Sequence, residues 1–282
     1  MIPESVNYHF TRVCNLSCRY CFHTPLNQNR LDIGSAIRGL KLLQKAGMRK
    51  INFSGGEPFI YSNKFLGPLL KFSKRELGLE SVSVVTNGTL VTDKWIEDYA
   101  QHLDIFALSC DSFVERNNLL IGRSSIDYLH LAKSLKQALH KYNVKFKINT
   151  VVSSANYQED MNQQILELSP FRWKCLQILP LKGENVGHKA LCDSAPFIIT
   201  EGQFMEFAKR HSSHDCLVFE SNRMMRDSYL ILDEEMRFLN CTDNSKVPGP
   251  SILDVGVDKA LQNAGYNSNL FELRGGRYDW GK

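Results

Sequence analysis

Short apolar runs alternate with amphipathic helical segments from the N-terminus to about Leu181, and this rhythm constrains the fold more than any other feature. Val6, Tyr8 and Phe10 alternate with polar residues and predict a first strand over about Ser5–Arg12. Lys50–Ser54, Ser81–Thr86, Ile105–Ser109, Val144–Val152 and Trp173–Leu179 read as further strands. Between the first two, Ile33, Ala36, Ile37, Leu40, Leu42 and Leu43 recur at helical spacing, with Asp32 as a candidate cap and Gly47 as the stop. Phe65–Leu77, Thr92–Leu103, Ile126–Tyr142 and Glu159–Leu168 read as helices too. Repeated strand–helix units imply a parallel sheet with right-handed crossovers. Six of them predict an α/β fold, a partial (β/α)₆ barrel of the TIM type rather than a doubly wound sheet, and 282 residues suit such a barrel.

After Leu181 the rhythm changes. Glu201–His211 looks helical, Tyr229–Leu232 and Met236–Leu239 flank Asp233–Glu235 as a hairpin, and Ile252–Val257 leads into a short helix over Asp258–Ala264. The chain therefore divides into a barrel core over residues 1–181 and a C-terminal extension over residues 182–282. The extension is expected to pack on the barrel and help form its site.

The net charge of +4 is too mild to imply nucleic acid, though a few cations gathered in one pocket would suit a polyphosphate. There is no apolar run long enough to span a membrane and no signal-peptide pattern, so the chain reads as cytoplasmic. Three of the 8 cysteines fall within eight residues, in Val13–Cys14–Asn15–Leu16–Ser17–Cys18–Arg19–Tyr20–Cys21. In a chain of this size without secretion signals, such a group reads as metal binding rather than disulfide bonding. It follows the first strand, so it lies on a loop at the C-terminal mouth of the barrel, where such folds keep their active sites. Three thiolates from Cys14, Cys18 and Cys21 can ligate three irons of a [4Fe–4S] cubane and leave the fourth open to a ligand. Zinc held by the three cysteines with His9 or His23 is the competing reading, but the second cysteine pair of most zinc sites is missing.

Other polar groups are expected at the same mouth. Ser54–Gly55–Gly56–Glu57–Pro58 follows the second strand, and its glycines let a ligand approach the backbone closely. Thr86–Asn87 ends the third strand and Ser109 the fourth. Arg123 has the planar fork that clamps a carboxylate.

The cysteine spacing, on the loop after the first strand of a β/α barrel, resembles the signature of the radical S-adenosylmethionine (SAM) superfamily. Within it, Asn7–Tyr8–His9–Phe10–Thr11–Arg12, Lys50–Ile51–Asn52–Phe53–Ser54–Gly55–Gly56–Glu57–Pro58, Ser109–Cys110–Asp111–Ser112–Phe113, Glu220–Ser221–Asn222, Asp227–Ser228–Tyr229–Leu230–Ile231–Leu232–Asp233–Glu234 and Ser251–Ile252–Leu253–Asp254–Val255–Gly256–Val257 are similar to the viperin family over essentially the whole chain. The resemblance implies a [4Fe–4S] cluster and SAM as cofactors. Tyr20 would pack on the adenine. Ser54, Gly55, Gly56, Glu57, Thr86, Asn87, Ser109 and Arg123 would hold the rest of SAM.

The implied substrate is a nucleoside triphosphate, CTP in the animal enzymes with UTP as the alternative. The product is the 3′-deoxy-3′,4′-didehydro nucleotide, an antiviral chain terminator made by removal of the 4′ hydrogen and loss of the 3′ hydroxyl as water. Lys50, Lys147, Arg172 and Lys174 lie where strand alternation can point them inward, and a triphosphate would supply the anions such a buried group needs. Asn7, His9 and Asn149 would contact ribose or phosphate, and Tyr229 matches the tyrosine proposed to donate the last hydrogen equivalent. The implied partners are a flavoprotein or ferredoxin electron donor and iron–sulfur assembly proteins. The N-terminal amphipathic helix and the acidic, aromatic C-terminal tail of the animal proteins do not appear in this sequence, so membrane or lipid-droplet association is not expected. Rival readings are a radical enzyme acting on another substrate and a non-catalytic antiviral scaffold.

Overall fold

Apolar side chains at every second position along the strands build one face of a parallel sheet, and the helices cover that face. The computed structural model describes residues 2–281. In β1 (Ser5–His9), Val6 and Tyr8 are wholly buried beneath α1 (Ile33–Lys45), to which Leu40 and Leu43 belong. The Asp32 carboxylate caps that helix by accepting from the Ser35 N–H at 2.9 Å. The pattern repeats in β2 (Lys50–Ser54), β3 (Ser81–Thr86), β4 (Ile105–Ser109), β5 (Lys145–Val152) and β6 (Arg172–Gln177). Ile51, Phe53, Val82, Val84, Phe106, Leu108, Phe146, Ile148, Trp173 and Cys175 join one core with the helices. Those helices are α2 (Gly67–Lys71), extended at both ends by π-type turns, α3 (Asp93–Tyr99), α4 (Glu115–Leu120), α5 (Tyr128–His140) and α6 (Asn162–Leu168). Each large apolar side chain buried here is worth about 1.5–3 kcal/mol.

In four of these strands the alternate positions, which face the barrel interior, are polar: Asn7 and His9 in β1, Lys50 and Asn52 in β2, Lys147 and Asn149 in β5, and Arg172 and Lys174 in β6. The register sets them side by side, with Asn7 opposite Asn52, Lys147 opposite Arg172 and Asn149 opposite Lys174. The Asn52 side chain donates to Asn7 at 2.8 Å.

Residues beyond 181 complete the sheet at both edges. After α7 (Glu201–Arg210), β7 (Leu217–Glu220) adds to β6 in parallel. After α8 (Asn222–Met225), β8 (Leu230–Leu232) adds in parallel to β1, then turns back into the antiparallel β9 (Arg237–Asn240) and β10 (Val247–Ser251). The order is β10-β9-β8-β1-β2-β3-β4-β5-β6-β7, an open sheet curled into a partial barrel. The short helices α9 (Ile252–Val255), α10 (Val257–Leu261) and α11 (Ser268–Leu273) follow.

The expected hairpin is present as β8 and β9. Several details differ from the sequence reading. The first strand ends at His9 rather than Arg12, although the Thr11 and Val13 carbonyls still accept from Gly56 and Glu57 at 2.7 and 2.8 Å. β7, β10, α4, α8 and α11 were not expected at all. β7 is short and mostly half-exposed, so it carries no clean alternation. No helix among the described residues is long and apolar enough to cross a membrane.

Candidate active site

Two polar zones line the barrel, one around the cysteine loop that follows β1 and one around a group of cations carried by the first halves of β2, β5 and β6. The cysteine loop leaves the C-terminal end of β1. Arg19 N–H donates to Ile121 O at 2.9 Å, and Cys21 N–H closes a turn on Cys18 O at 3.1 Å. The Leu16 and His23 N–H groups point at the Cys14 and Cys21 sulfurs, each at 3.4 Å. All three cysteines are free and partly exposed. Burial raises each thiol pKa, that of Cys21 to about 12, so the thiols become thiolates on binding a metal. Among the described residues no three His, Cys, Asp or Glu side chains converge on a single ion. A cubane takes one thiolate at each of three separate irons, which suits thiols spread along a loop. The extension contributes a fourth cysteine, Cys192, whose Sγ is 3.7 Å from Cys21 O.

The glycine loop after β2 braces this arrangement. A Cβ on Gly55 would stand 2.3 Å from Thr11 O, and one on Gly56 would stand 2.1 Å from Val13 O. What the glycines admit is therefore the backbone of the cysteine loop itself. Glu57 is buried and accepts from Phe59 N–H at 3.0 Å, Thr86 Oγ1 at 2.7 Å and Asn87 N–H at 2.8 Å, tying the loop to the end of β3. Burial raises its pKa, and these bonds oppose the rise. The Asn87 side chain in turn donates to Asn15 at 2.9 Å.

On the other side of the loop, Tyr20 is buried, edge-on to Phe197 at 5.7 Å, and its hydroxyl donates to Asp111 at 2.9 Å. Arg123 finds its carboxylate within the protein. Its Nε donates to Asp111 at 2.8 Å, its Nη2 lies 2.7 Å from the same oxygen, and its Nη1 donates to Ser109 O at 3.1 Å. Asp111 is thus the hinge of this corner; the sequence placed it in the polar string that ends the fourth strand, but gave no sign that Tyr20 and Arg123 would meet it.

The second zone gathers Lys50, Lys147, Arg172 and Lys174, as their inward positions predicted. The extension adds a fifth cation, Arg274, and one carboxylate, Glu220. Glu220 ion-pairs with Lys174 at 2.6 Å and with Arg274 at 3.3 Å. Tyr229 lies between them, with its hydroxyl donating to Glu220 and accepting from Lys174, and with Arg274 over its ring at 3.7 Å. The tail covers this end: Arg172 donates to Gly275 O at 3.0 Å, and Lys50 donates to the Tyr278 hydroxyl at 2.9 Å.

The charges in this zone perturb one another. Burial and then neighbouring cations push Lys50 down to about 7. Burial pushes Lys174 down to about 8 against the pull of Glu220. Lys147 is lowered well below its ordinary value by burial and by Lys174, Lys50 and Arg172. Burial alone would raise Glu220, but Lys174 and Arg274 outweigh it and hold the carboxyl below its usual range. Burial pushes the Tyr229 phenol well above 10. Asn149 leaves its Oδ1 buried and unpartnered among the described residues. His9 is not with the cations; it is nearer the cysteine loop, edge-on to His23 at 4.6 Å.

Residues 8–161 match the family profile described as the Radical SAM superfamily. The chain belongs to that superfamily. It is 51% identical to the S-adenosylmethionine-dependent nucleotide dehydratase RSAD2 of Danio rerio, over 99% of this chain and 79% of the relative. It is 33% identical to the S-adenosylmethionine-dependent nucleotide dehydratase of Flammeovirga pacifica, over 99% and 97%. These similarities place it in the viperin branch of the radical SAM enzymes. Among solved structures, native anSMEcpe with bound AdoMet and a peptide superposes with a TM-score of 0.71 at 16% identity, over 96% of this chain and 83% of that one. Streptococcus suis SuiB bound to S-adenosylmethionine gives 0.67 at 16%, over 97% and 68%. The radical SAM cofactors are a [4Fe–4S] cluster and SAM. The three thiols at the barrel mouth, two of them already approached by backbone N–H groups, fit the cluster.

Proposed function

We propose that the chain is a radical SAM dehydratase that converts a nucleoside triphosphate, CTP in preference to UTP, to its 3′-deoxy-3′,4′-didehydro analogue. The observation that carries this reading is the cationic zone: among the described residues, five cations meet one carboxylate, Glu220, inside a barrel that holds three cysteines at its mouth. A protein interior seldom keeps such an excess of charge unless a ligand neutralises it. Cys14, Cys18 and Cys21 hold the cluster, and SAM lies against Tyr20, Ser54, Gly55, Gly56, Glu57, Thr86, Asn87, Ser109 and Arg123. With both bound, the site supplies a 5′-deoxyadenosyl radical. Lys50, Lys147, Arg172, Lys174 and Arg274 bind the triphosphate. Asn7, His9 and Asn149 contact the ribose side of the substrate. Electrons come from a flavoprotein or ferredoxin, and iron–sulfur assembly proteins load the cluster.

Tyr229 supplies the final hydrogen equivalent: its ring gives one electron to the substrate radical, and its phenol proton, which Glu220 accepts as a hydrogen bond, passes to the departing 3′ hydroxyl to form water; the bond to Glu220 supports this reading. Tyr229→Phe is expected to keep nucleotide affinity within about threefold, the loss of one partly compensated hydrogen bond. It should still release 5′-deoxyadenosine in response to nucleotide while forming far less dehydrated product. Full product formation by this variant would remove Tyr229 from the mechanism.

The lowered lysines give the binding step a pH dependence. In the free protein Lys50 loses its proton around pH 7 and Lys174 around pH 8, whereas each stays charged beside a triphosphate. Binding above pH 7 therefore takes up protons, and affinity falls as pH rises. Between pH 7 and pH 9 the loss should be about tenfold or more, in a window where the terminal phosphate, with its pKa of about 6, is already ionised. Calorimetry in buffers of differing ionisation enthalpy reads both effects. A constant affinity without proton uptake would rule out these lysines as the triphosphate site.

A further inference from the structure

Two buried ring nitrogens near the cysteine loop have no hydrogen-bond partner among the described residues: Nδ1 of His9 and Nε2 of His23. Both residues are buried, at 3% and 1% exposure, and their rings meet edge-to-face at 4.6 Å. A buried donor without a partner costs roughly 1–3 kcal/mol, so such groups usually mark a place where something else binds.

The proton on His23 can be assigned from its other nitrogen. Nδ1 is 3.1 Å from Lys246 Nζ. The same ammonium donates to Phe22 O and ion-pairs with Glu184 at 3.6 Å, so its three protons face three acceptors. An ammonium has no lone pair, so Nδ1 must accept and Nε2 must carry the hydrogen. Glu184 is itself fixed. It accepts from Arg12 at 3.0 Å and from both the backbone and the hydroxyl of Thr24 at 2.7 Å, while Arg12 reaches Glu234 at 3.0 Å. This buried network joins the extension to the cysteine loop and leaves one N–H, on His23, unused.

Position indicates what that N–H would meet. His9 is the last residue of β1, on the inward row with Asn7, and His23 follows Cys21 by two residues. Lys50, Lys147, Arg172 and Lys174 lie in the first halves of their strands, whereas His9 ends β1. A nucleotide with its triphosphate among them brings its ribose, the part that must lose a hydrogen, towards the cysteine end. Resting on the functional reading above, we propose that His23 donates from Nε2 to a ribose hydroxyl of the nucleotide, and that Lys246 is a positioning residue that fixes the His23 tautomer.

The test compares the affinities of CTP, 2′-deoxy-CTP and 3′-deoxy-CTP for the cluster-loaded protein with SAM present. The variants are His23→Phe, Lys246→Met and Lys246→Arg, with iron content measured for each. Wild type should favour CTP over one of the two analogues by about five- to tenfold, the worth of one hydrogen bond of roughly 1 kcal/mol. That gap should close in His23→Phe, narrow in Lys246→Met and persist in Lys246→Arg. A gap of wild-type size in His23→Phe would overturn the proposal. So would an equal loss of affinity for all three nucleotides, which indicates a contact of shape or base rather than hydroxyl. A Lys246→Met protein with the full gap would overturn the positioning role alone. If wild type binds no nucleotide, the functional reading fails and this inference with it.

Discussion

A Gly56→Ala protein is expected to fold but to lose most of its iron. Space is the only objection to alanine at this position, because the backbone of Gly56 does not adopt a positive φ. Its Cβ would stand 2.1 Å from Val13 O and 2.6 Å from Val13 C, both backbone atoms that cannot rotate away. The Gly56 N–H also donates to Thr11 O, so pushing the strands apart breaks a bond that aligns the cysteine loop. Overpacking of this kind costs about 1–3 kcal/mol in a well-packed interior. Most of that cost falls on the loop carrying Cys14, because the glycine side is anchored by Glu57. Displaced thiols no longer meet three irons together, so iron after anaerobic reconstitution should fall to about a tenth of wild type, as a metal site needs ligands within a few tenths of an ångström. Gly202→Ala is the control. Its Cβ meets only Thr200 Oγ1, at an ordinary 3.7 Å, and iron content should not change. Wild-type iron in Gly56→Ala would show that the glycine loop does not brace the cluster site.

Lys147→Met is expected to move stability and affinity in opposite directions. Burial and three neighbouring cations hold the Lys147 pKa well below 10.5 in the folded chain. Between that lowered value and 10.5 the unfolded state binds more protons, so this group makes folding less favourable as pH falls through the window. Removing it relieves that cost. A buried charge replaced by an apolar side chain of similar length commonly gains about 1–4 kcal/mol, and 1 kcal/mol shifts Tm by about 2–4 °C in a chain of this size. Tm without nucleotide should therefore rise, and rise more at pH 6.5 than at pH 9. Nucleotide affinity should fall by about tenfold or more, since a charge-assisted contact contributes roughly 1.5–3 kcal/mol. A variant that loses both stability and affinity would show that Lys147 is structural.

The parts of this account that were legible in the sequence rest on local patterns. Period-two alternation located the strands that carry Lys50, Lys147, Arg172 and Lys174, and it pointed those side chains inward. The spacing of Cys14, Cys18 and Cys21 marked the cluster loop because ligands this close in sequence can hardly avoid being close in space. What could not be read was long-range. Glu220 and Arg274 are 54 residues apart and meet only because β7 joins β6 while the tail folds back across the barrel. Asp111 becomes important only when the Arg123 and Tyr20 side chains converge on it. The glycines were read as letting a ligand approach the backbone closely; the neighbour a Cβ there would meet is the backbone of the cysteine loop, and no sequence pattern distinguishes that from a ligand. Lys246 and His23 are 223 positions apart and carried no joint signal.

In the proposed function, the radical formed beside the cysteine loop is directed at a nucleotide held by the cations. Anaerobic turnover with reductant and SAM, offering each common ribonucleoside triphosphate separately, tests it most directly. 5′-Deoxyadenosine should form at least about tenfold faster with CTP than without nucleotide, as an enzyme that couples radical formation to substrate binding requires, together with a product lighter than CTP by one water. If 5′-deoxyadenosine forms no faster with any triphosphate than in its absence, the assignment of the cationic zone as the substrate site is wrong.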